Sequence, residues 1–192
     1  MLVLAISPAT IVLIVIAVIL LVIVFSMLAR QQSNKRLEDR FGPEYKRTVA
    51  ATGDRAAAAR ELRDREKHRK RFERRDLDAA LRNRYRERWR AIELRFIDEP
   101  AACVREADDL VTEVMTKRGY PMDEFDQRAD DLSVDYPAVV ENYRQAHRIA
   151  NANERGTAST EELRKALVYY RSLFAELLND ADTRTQRLKE TG

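Results

Sequence analysis

The chain has 192 residues, 45% of them apolar and 35% charged, with 35 Lys/Arg against 32 Asp/Glu for a net charge of +3. A single Cys excludes an intrachain disulfide framework, and two His with one Cys are too few and too scattered for a clustered zinc site. Five scattered Gly give no phosphate-cradling loop, while abundant Ala, Leu, Arg and Glu favour helix nearly everywhere.

From Met1 to Ala29 there is no charged side chain. Ile11 to Leu28 is apolar apart from Ser26, close to the roughly 20 residues that span a bilayer as a helix. A helix satisfies its own backbone in lipid, which a lone strand cannot do. No Lys or Arg precedes the apolar run, so an uncleaved anchor over residues 1–30 is expected rather than a signal peptide. Arg30, Lys35, Arg36, Arg40, Lys46 and Arg47 follow it, which places the rest of the chain in the cytoplasm with the N-terminus outside.

Residues 31–75 read as a juxtamembrane and charged linker. Gln31–Arg40 continues the helix until Gly42-Pro43 interrupts it, with Phe41 and Tyr45 placed at the headgroup level. Gly53-Asp54 is a second break, with Asp54 a helix N-cap. Arg55–Arg75 is helical by propensity but has little to bury, so it is expected to be a solvated spacer.

Residues 76–180 read as a small bundle of four to five amphipathic helices, and 181–192 as a flexible tail. Leu77, Leu81, Tyr85, Trp89, Ile92 and Phe96 recur on one helical face. Pro100 opens a helix with Val104, Ala107, Leu110, Val111, Val114 and Met115 inward, and Gly119 ends it. Met122–Leu132 is expected to form a short helix and Ser133–Pro137 a turn. The next stripe is Val139, Val140, Tyr143, Ala146, His147 and Ala150. Ser159 and Glu162 form a capping box for a last helix, with Asn179–Gly192 frayed. The fold class is therefore all-α: one transmembrane helix, a charged linker helix and a bundle.

Four runs, Arg40-Phe41-Gly42-Pro43-Glu44-Tyr45, Arg118-Gly119-Tyr120-Pro121, Asp131 to Pro137, and Val140-Glu141-Asn142-Tyr143-Arg144, resemble a widespread group of bacterial proteins described only as hypothetical membrane or secreted proteins. The resemblance covers most of the chain after the anchor. It implies an N-terminal helix followed by a helical domain, and it carries over no catalytic residue.

Charge is uneven along the chain. Residues 55–95 carry 16 Lys/Arg against 8 Asp/Glu, whereas residues 96–192 carry 13 against 20. The two halves can attract each other within one chain or between chains. Arg69, Lys70, Arg71, Arg74, Arg75, Arg82, Arg86 and Arg90 are the candidate contacts to an anionic surface, lipid headgroup or nucleic acid. Nucleic acid is the weaker of these, because acidic residues are interleaved and the spacing of Tyr85 and Trp89 makes them core rather than base-stacking. The acidic pairs Asp108-Asp109 and Asp130-Asp131 read as a solvated helix face, His147 as a packing residue and Cys103 as a small core residue. No cofactor and no catalysis are expected. The leading expectation is a membrane-anchored, non-enzymatic module whose partners are the bilayer and another protein or itself, with electrostatic binding through residues 55–90 the alternative. A deep pocket holding a perturbed carboxylate or His147 would instead indicate an enzyme.

Overall fold

A computed structural model describes the backbone of residues 8–190 and most side chains between 17 and 179. The described residues form helices and no strand. In chain order they are α1 (Pro8–Phe41), α2 (Pro43–Thr52), α3 (Arg55–Arg69), α4 (Ala79–Arg95), α5 (Pro100–Lys117), α6 (Phe125–Asp135), α7 (Val140–Glu154) and α8 (Thr160–Glu190). The chain divides into two compact units, Met1–Arg40 and Phe41–Gly192.

The anchor expected over residues 1–30 falls largely on side chains outside the described set. Among the described residues, no helix is long and apolar enough to cross a membrane. Eight large apolar side chains between Val18 and Met27 are described on α1, and all are 52–72% exposed. They include the five consecutive residues Val18 to Val22, which at 100° per residue sweep the whole circumference of the helix.

In the second unit the expected breaks occur where local chemistry demands them. Gly42 adopts φ 48 and Pro43 takes the first turn of α2, where a missing amide hydrogen is harmless. Gly53 closes α2 in the left-handed region, and the Asp54 carboxylate accepts from the Ala56 and Ala57 amides to start α3. Asp78 caps α4 by accepting from Leu81 N at 2.7 Å. Ser159 and Glu162 form the expected reciprocal box at the start of α8. Gly119 ends α5 in a Schellman turn: its own amide donates to Thr116 and that of Tyr120 donates to Met115, both at 3.0 Å.

A single apolar core runs through α4 to α8. Helix α8 packs on both α5 and α7, α4 lies against α5, and α6 joins α7 to the α2–α3 pair. The six residues expected on the inward face of α5 are all buried, as are Tyr85, Trp89 and Ile92 of the α4 stripe.

Four expectations about segments change. The charged stretch 55–75 is no free spacer. Its helix ends at Arg69, buries Ala58, Ala59, Leu62 and Arg65, and packs on α2 and α6 within the second unit. Phe41 and Tyr45 are buried in protein rather than at a headgroup level. The short helix starts at Phe125, not Met122, and runs through Ser133 and Val134 to Asp135 because both of those residues are buried against neighbours. The last helix continues to Glu190 instead of fraying near Asn179.

Candidate functional site

Four charged side chains from four helices meet inside the second unit. Glu44 on α2 receives a two-pronged contact from Arg144 on α7, at 2.7 and 2.9 Å, and a third hydrogen bond from Arg65 on α3 at 2.7 Å. Asp130 on α6 lies 3.0 Å from Arg65 and 3.4 Å from Arg144. Two carboxylates and two guanidiniums balance in charge. Burial pulls the Glu44 carboxyl up, but the hydrogen bonds and charges of Arg144 and Arg65 outweigh it and hold the group below its ordinary value. For Asp130 burial dominates over the same two arginines, with Glu44 and Glu61 adding repulsion, and its carboxyl is pushed up. Glu61 on α3 also accepts from Arg65 and Arg47 lies 3.3 Å from Glu44, and the network clamps α2 and α3 to α6 and α7.

A second polar layer continues along α6. His68 Nδ1 lies 2.8 Å from the buried Asp131 carboxylate, with Gln127 beside both. Asp135 accepts from Arg69 and from the Tyr120 hydroxyl. The Arg69 guanidinium also sits 4.6 Å above the Phe72 ring. Asp130 and Asp131, expected on a solvated face, are thus drawn inward by Arg65 and His68 of α3. Sequence pattern misses them because a carboxylate buried against arginine leaves the same local signature as one in water. A weak signal did exist: Glu44, Tyr120, Asp131, Asp135 and Arg144 all lie in the runs that carry the resemblance above.

The eight basic candidates scatter. Arg69 is corrected from surface contact to internal partner, since its guanidinium is spent on Asp135, Phe72 and Tyr120. Arg74 lies 3.9 Å from the same Asp135. Lys70, Arg71 and Arg75 are exposed on the connector between α3 and α4, and Arg82 is half-buried on α4. Arg86 and Arg90 share a different place, the rim of a groove between α4 and α8. Its other lining residues are Trp89, Glu93, Arg171, Phe174, Ala175, Leu178 and Asn179, and its volume is about 220 Å³. Trp89 and Phe174 stack at 4.7 Å on its floor, and the indole N–H has no acceptor among the described residues.

Part of the opposite charge of the two sequence halves is spent within the chain. Arg65–Asp130, Arg69–Asp135, Arg88–Glu113 and Arg95–Glu106 each join a basic residue before 96 to an acid after it.

His147 lines a separate cleft of about 590 Å³ with Phe125, Arg144 and Asn151. Its ring stacks on Phe125 at 3.7 Å, and burial lowers its pKa, so it is neutral at pH 7. Asp108 is pushed up by burial and sits near the Tyr170 hydroxyl and His147. No hydrogen bond joins Asp108 to His147 among the described residues, and Tyr143 Oη and His147 Nδ1 have no partner there. No group of three His, Cys, Asp or Glu among the described residues could hold a metal ion.

Cys103 is fully buried on α5, and burial pushes its thiol up. An alkylating reagent is expected to leave it unmodified in the native chain and to modify it fully in denaturant, as read by mass spectrometry; native modification at the denatured rate would contradict the core placement. Comparison with protein-family models, with curated proteins and with solved structures finds no match.

Proposed function

We propose that the chain is a membrane-tethered helical interaction module: the N-terminal helix holds the second unit at the cytoplasmic face, where that unit engages another protein. One observation carries the tether. The eight described large side chains between Val18 and Met27 are exposed all round α1, and no charge interrupts the sequence from Met1 to Ala29. A helix that is apolar on every face is stable only when buried, in protein or in lipid. Each large apolar side chain gains roughly 1.5–3 kcal/mol on leaving water, so eight together gain on the order of 10 kcal/mol. A bilayer supplies that surface, and Lys35, Arg36 and Arg40 beyond it favour the cytoplasmic side.

The second unit supports the interaction half of the reading. Leu94 and Ile97, at 81% and 91%, are more exposed than any other large apolar side chain described. The electrostatic alternative through residues 55–90 has less support, because Arg65 and Arg69 are internal partners and Arg74 lies against Asp135.

Membrane fractionation tests the tether. The full chain is expected to stay in the pellet through an alkaline carbonate wash, while residues 31–192 are released. Release of the full chain would refute it. A photo-reactive residue at Leu94 is then expected to yield a crosslink to a second protein in intact membranes; monomer alone would refute the interaction half. For orientation, a Thr191→Cys variant is expected to resist an impermeant thiol reagent in intact cells.

A further inference from the structure

We infer that the groove between α4 and α8 is a docking site for an acidic amphipathic helix of a partner protein. This rests on the interaction reading above and names the surface and the chemistry of its partner. The two helices run antiparallel there. Glu93 pairs with Arg171 at 3.6 Å, Trp89 stacks on Phe174, and Arg86 shares the lining with Leu178 and Asn179. Residue numbers fall on α4 as they rise on α8 across the two contacts, Glu93 with Arg171 and Trp89 with Phe174, which sets the register.

That register extends beyond the groove itself. Arg86, Arg90, Glu93 and Ile97 are spaced by four, three and four and so share one side of α4 and its terminal turn. On α8, Val168, Arg171 and Ala175 are spaced by three and four and share a side in the same way. Ile97 stands one turn beyond Glu93 and Val168 one turn before Arg171, which is the outward direction on each helix of that antiparallel register. Ile97 is 91% exposed and Val168 is 50% exposed. The groove floor of Trp89, Phe174 and Leu178 therefore continues into an exposed apolar end, flanked by Leu94 one turn after Arg90.

Charge chooses the occupant. Three arginines, Arg86, Arg90 and Arg171, stand against one carboxylate, Glu93, which is already paired. Arg90 is exposed and, among the described residues, no ion pair engages Arg86, whose hydrogen bond goes to the neutral Asn83 amide. A basic or neutral helix would leave that surplus uncompensated, whereas carboxylates flanking an apolar stripe would meet it. From Arg86 to Glu93 the α4 wall of the groove is about 10 Å long at 1.5 Å per residue, room for about two turns of a helix laid in it.

Trp89 is the only tryptophan in the chain, so its emission reports the groove directly. The experiment uses the full chain in neutral detergent and a synthetic Leu/Glu amphipathic helix of about 18 residues, long enough to hold helix. A Leu/Lys helix of the same pattern is the control. Saturable change of Trp89 emission is expected with the Glu peptide and not with the Lys peptide. Arg86→Glu with Arg90→Glu is expected to weaken binding about tenfold or more, a loss of roughly 1.4 kcal/mol. Ile97→Ser, a change at an exposed position that the fold does not need, is expected to weaken it by a smaller factor. An unchanged Trp89 signal, equal response to both peptides, or unaltered affinity in the double variant would overturn the assignment. So would emission that changes with protein concentration alone, which marks a second copy in the groove, or with phosphatidylglycerol vesicles alone, which marks lipid. Binding is read in detergent and needs no bilayer, so this failure is separate from failure of the tether. A crosslink from Leu94 to a second protein with a silent Trp89 would leave the interaction reading standing and remove the groove.

Discussion

Glu44→Gln is expected to destabilise the second unit by roughly 3–5 kcal/mol, the range for removing one partner of a buried ion pair. Arg65 and Arg144 would then face each other with Asp130 as their only shared counter-charge, and both are largely buried. The loss is expected as a drop in the urea midpoint with an unchanged slope, followed through Trp89 emission in the full chain. A shift equivalent to less than about 1 kcal/mol, the usual worth of an exposed pair, would show that the network is solvated in solution. Arg144→Met alone is expected to be severe for the same reason. The double variant is expected to lose less than the sum of the two, because each change removes the charge that the other leaves unpaired.

The same network sets a pH signature. The Glu44 carboxyl is held below its ordinary value of 4.5 in the folded chain. Its contribution is therefore present above pH 4.5 and disappears as the pH falls through the folded value. Asp130 has the opposite sign. Its carboxyl is raised above 3.8, so its contribution is present below that value and is lost as the pH rises through the folded one. Glu44→Gln is expected to flatten the acid limb of the stability profile below pH 4.5, leaving the limb due to the other carboxylates whose values are lowered.

Gly119→Ala is the second large effect. Gly119 holds φ +84, and a Cβ there would meet the Glu73 backbone oxygen at 2.5 Å. Backbone cannot swing aside as a side chain can. The connector is also fixed at that point, since the Arg75 amide donates to the Arg118 carbonyl at 2.9 Å. Gly53→Ala is the internal control: φ is +70 but nothing lies within 4 Å. It is expected to lose about 1 kcal/mol for the left-handed backbone alone. Gly119→Ala is expected to lose at least about twice that, in the same urea measurement. Equal losses at the two glycines would show that the connector yields without resistance.

Much of the second unit is legible in its sequence because helices announce themselves locally. Asp54, Asp78 and the Ser159–Glu162 box satisfy amides within three residues, and Gly53 and Gly119 relieve backbone strain at a single position. The inward faces of α4, α5, α7 and α8 repeat at helical spacing, so the core residues from Val104 to Leu178 could be named from periodicity. The end of α6 was illegible because Ser133 and Val134 are held helical by what lies above them and not by propensity.

The fate of the charges belonged to tertiary structure alone. Arg65 and Arg69 sit in a stretch with twice as many basic as acidic residues, and their sequence neighbours are solvated. What distinguishes them is a partner 65 or 66 positions away, Asp130 and Asp135, which no local pattern records. Glu44 and Arg144 are separated by 100 residues and become one contact. The basic rim at Arg86 and Arg90 likewise gained meaning only when α8 brought Arg171 and Phe174 beside it. Sequence by itself determined the all-helical class, the caps, the inward faces and the uncharged N-terminal run, because each is fixed by neighbours within a turn or two. Tertiary structure decided which charges are buried, which are spent on each other and which remain facing outward, because a charge is placed by the distance to its counter-charge in space and not along the chain.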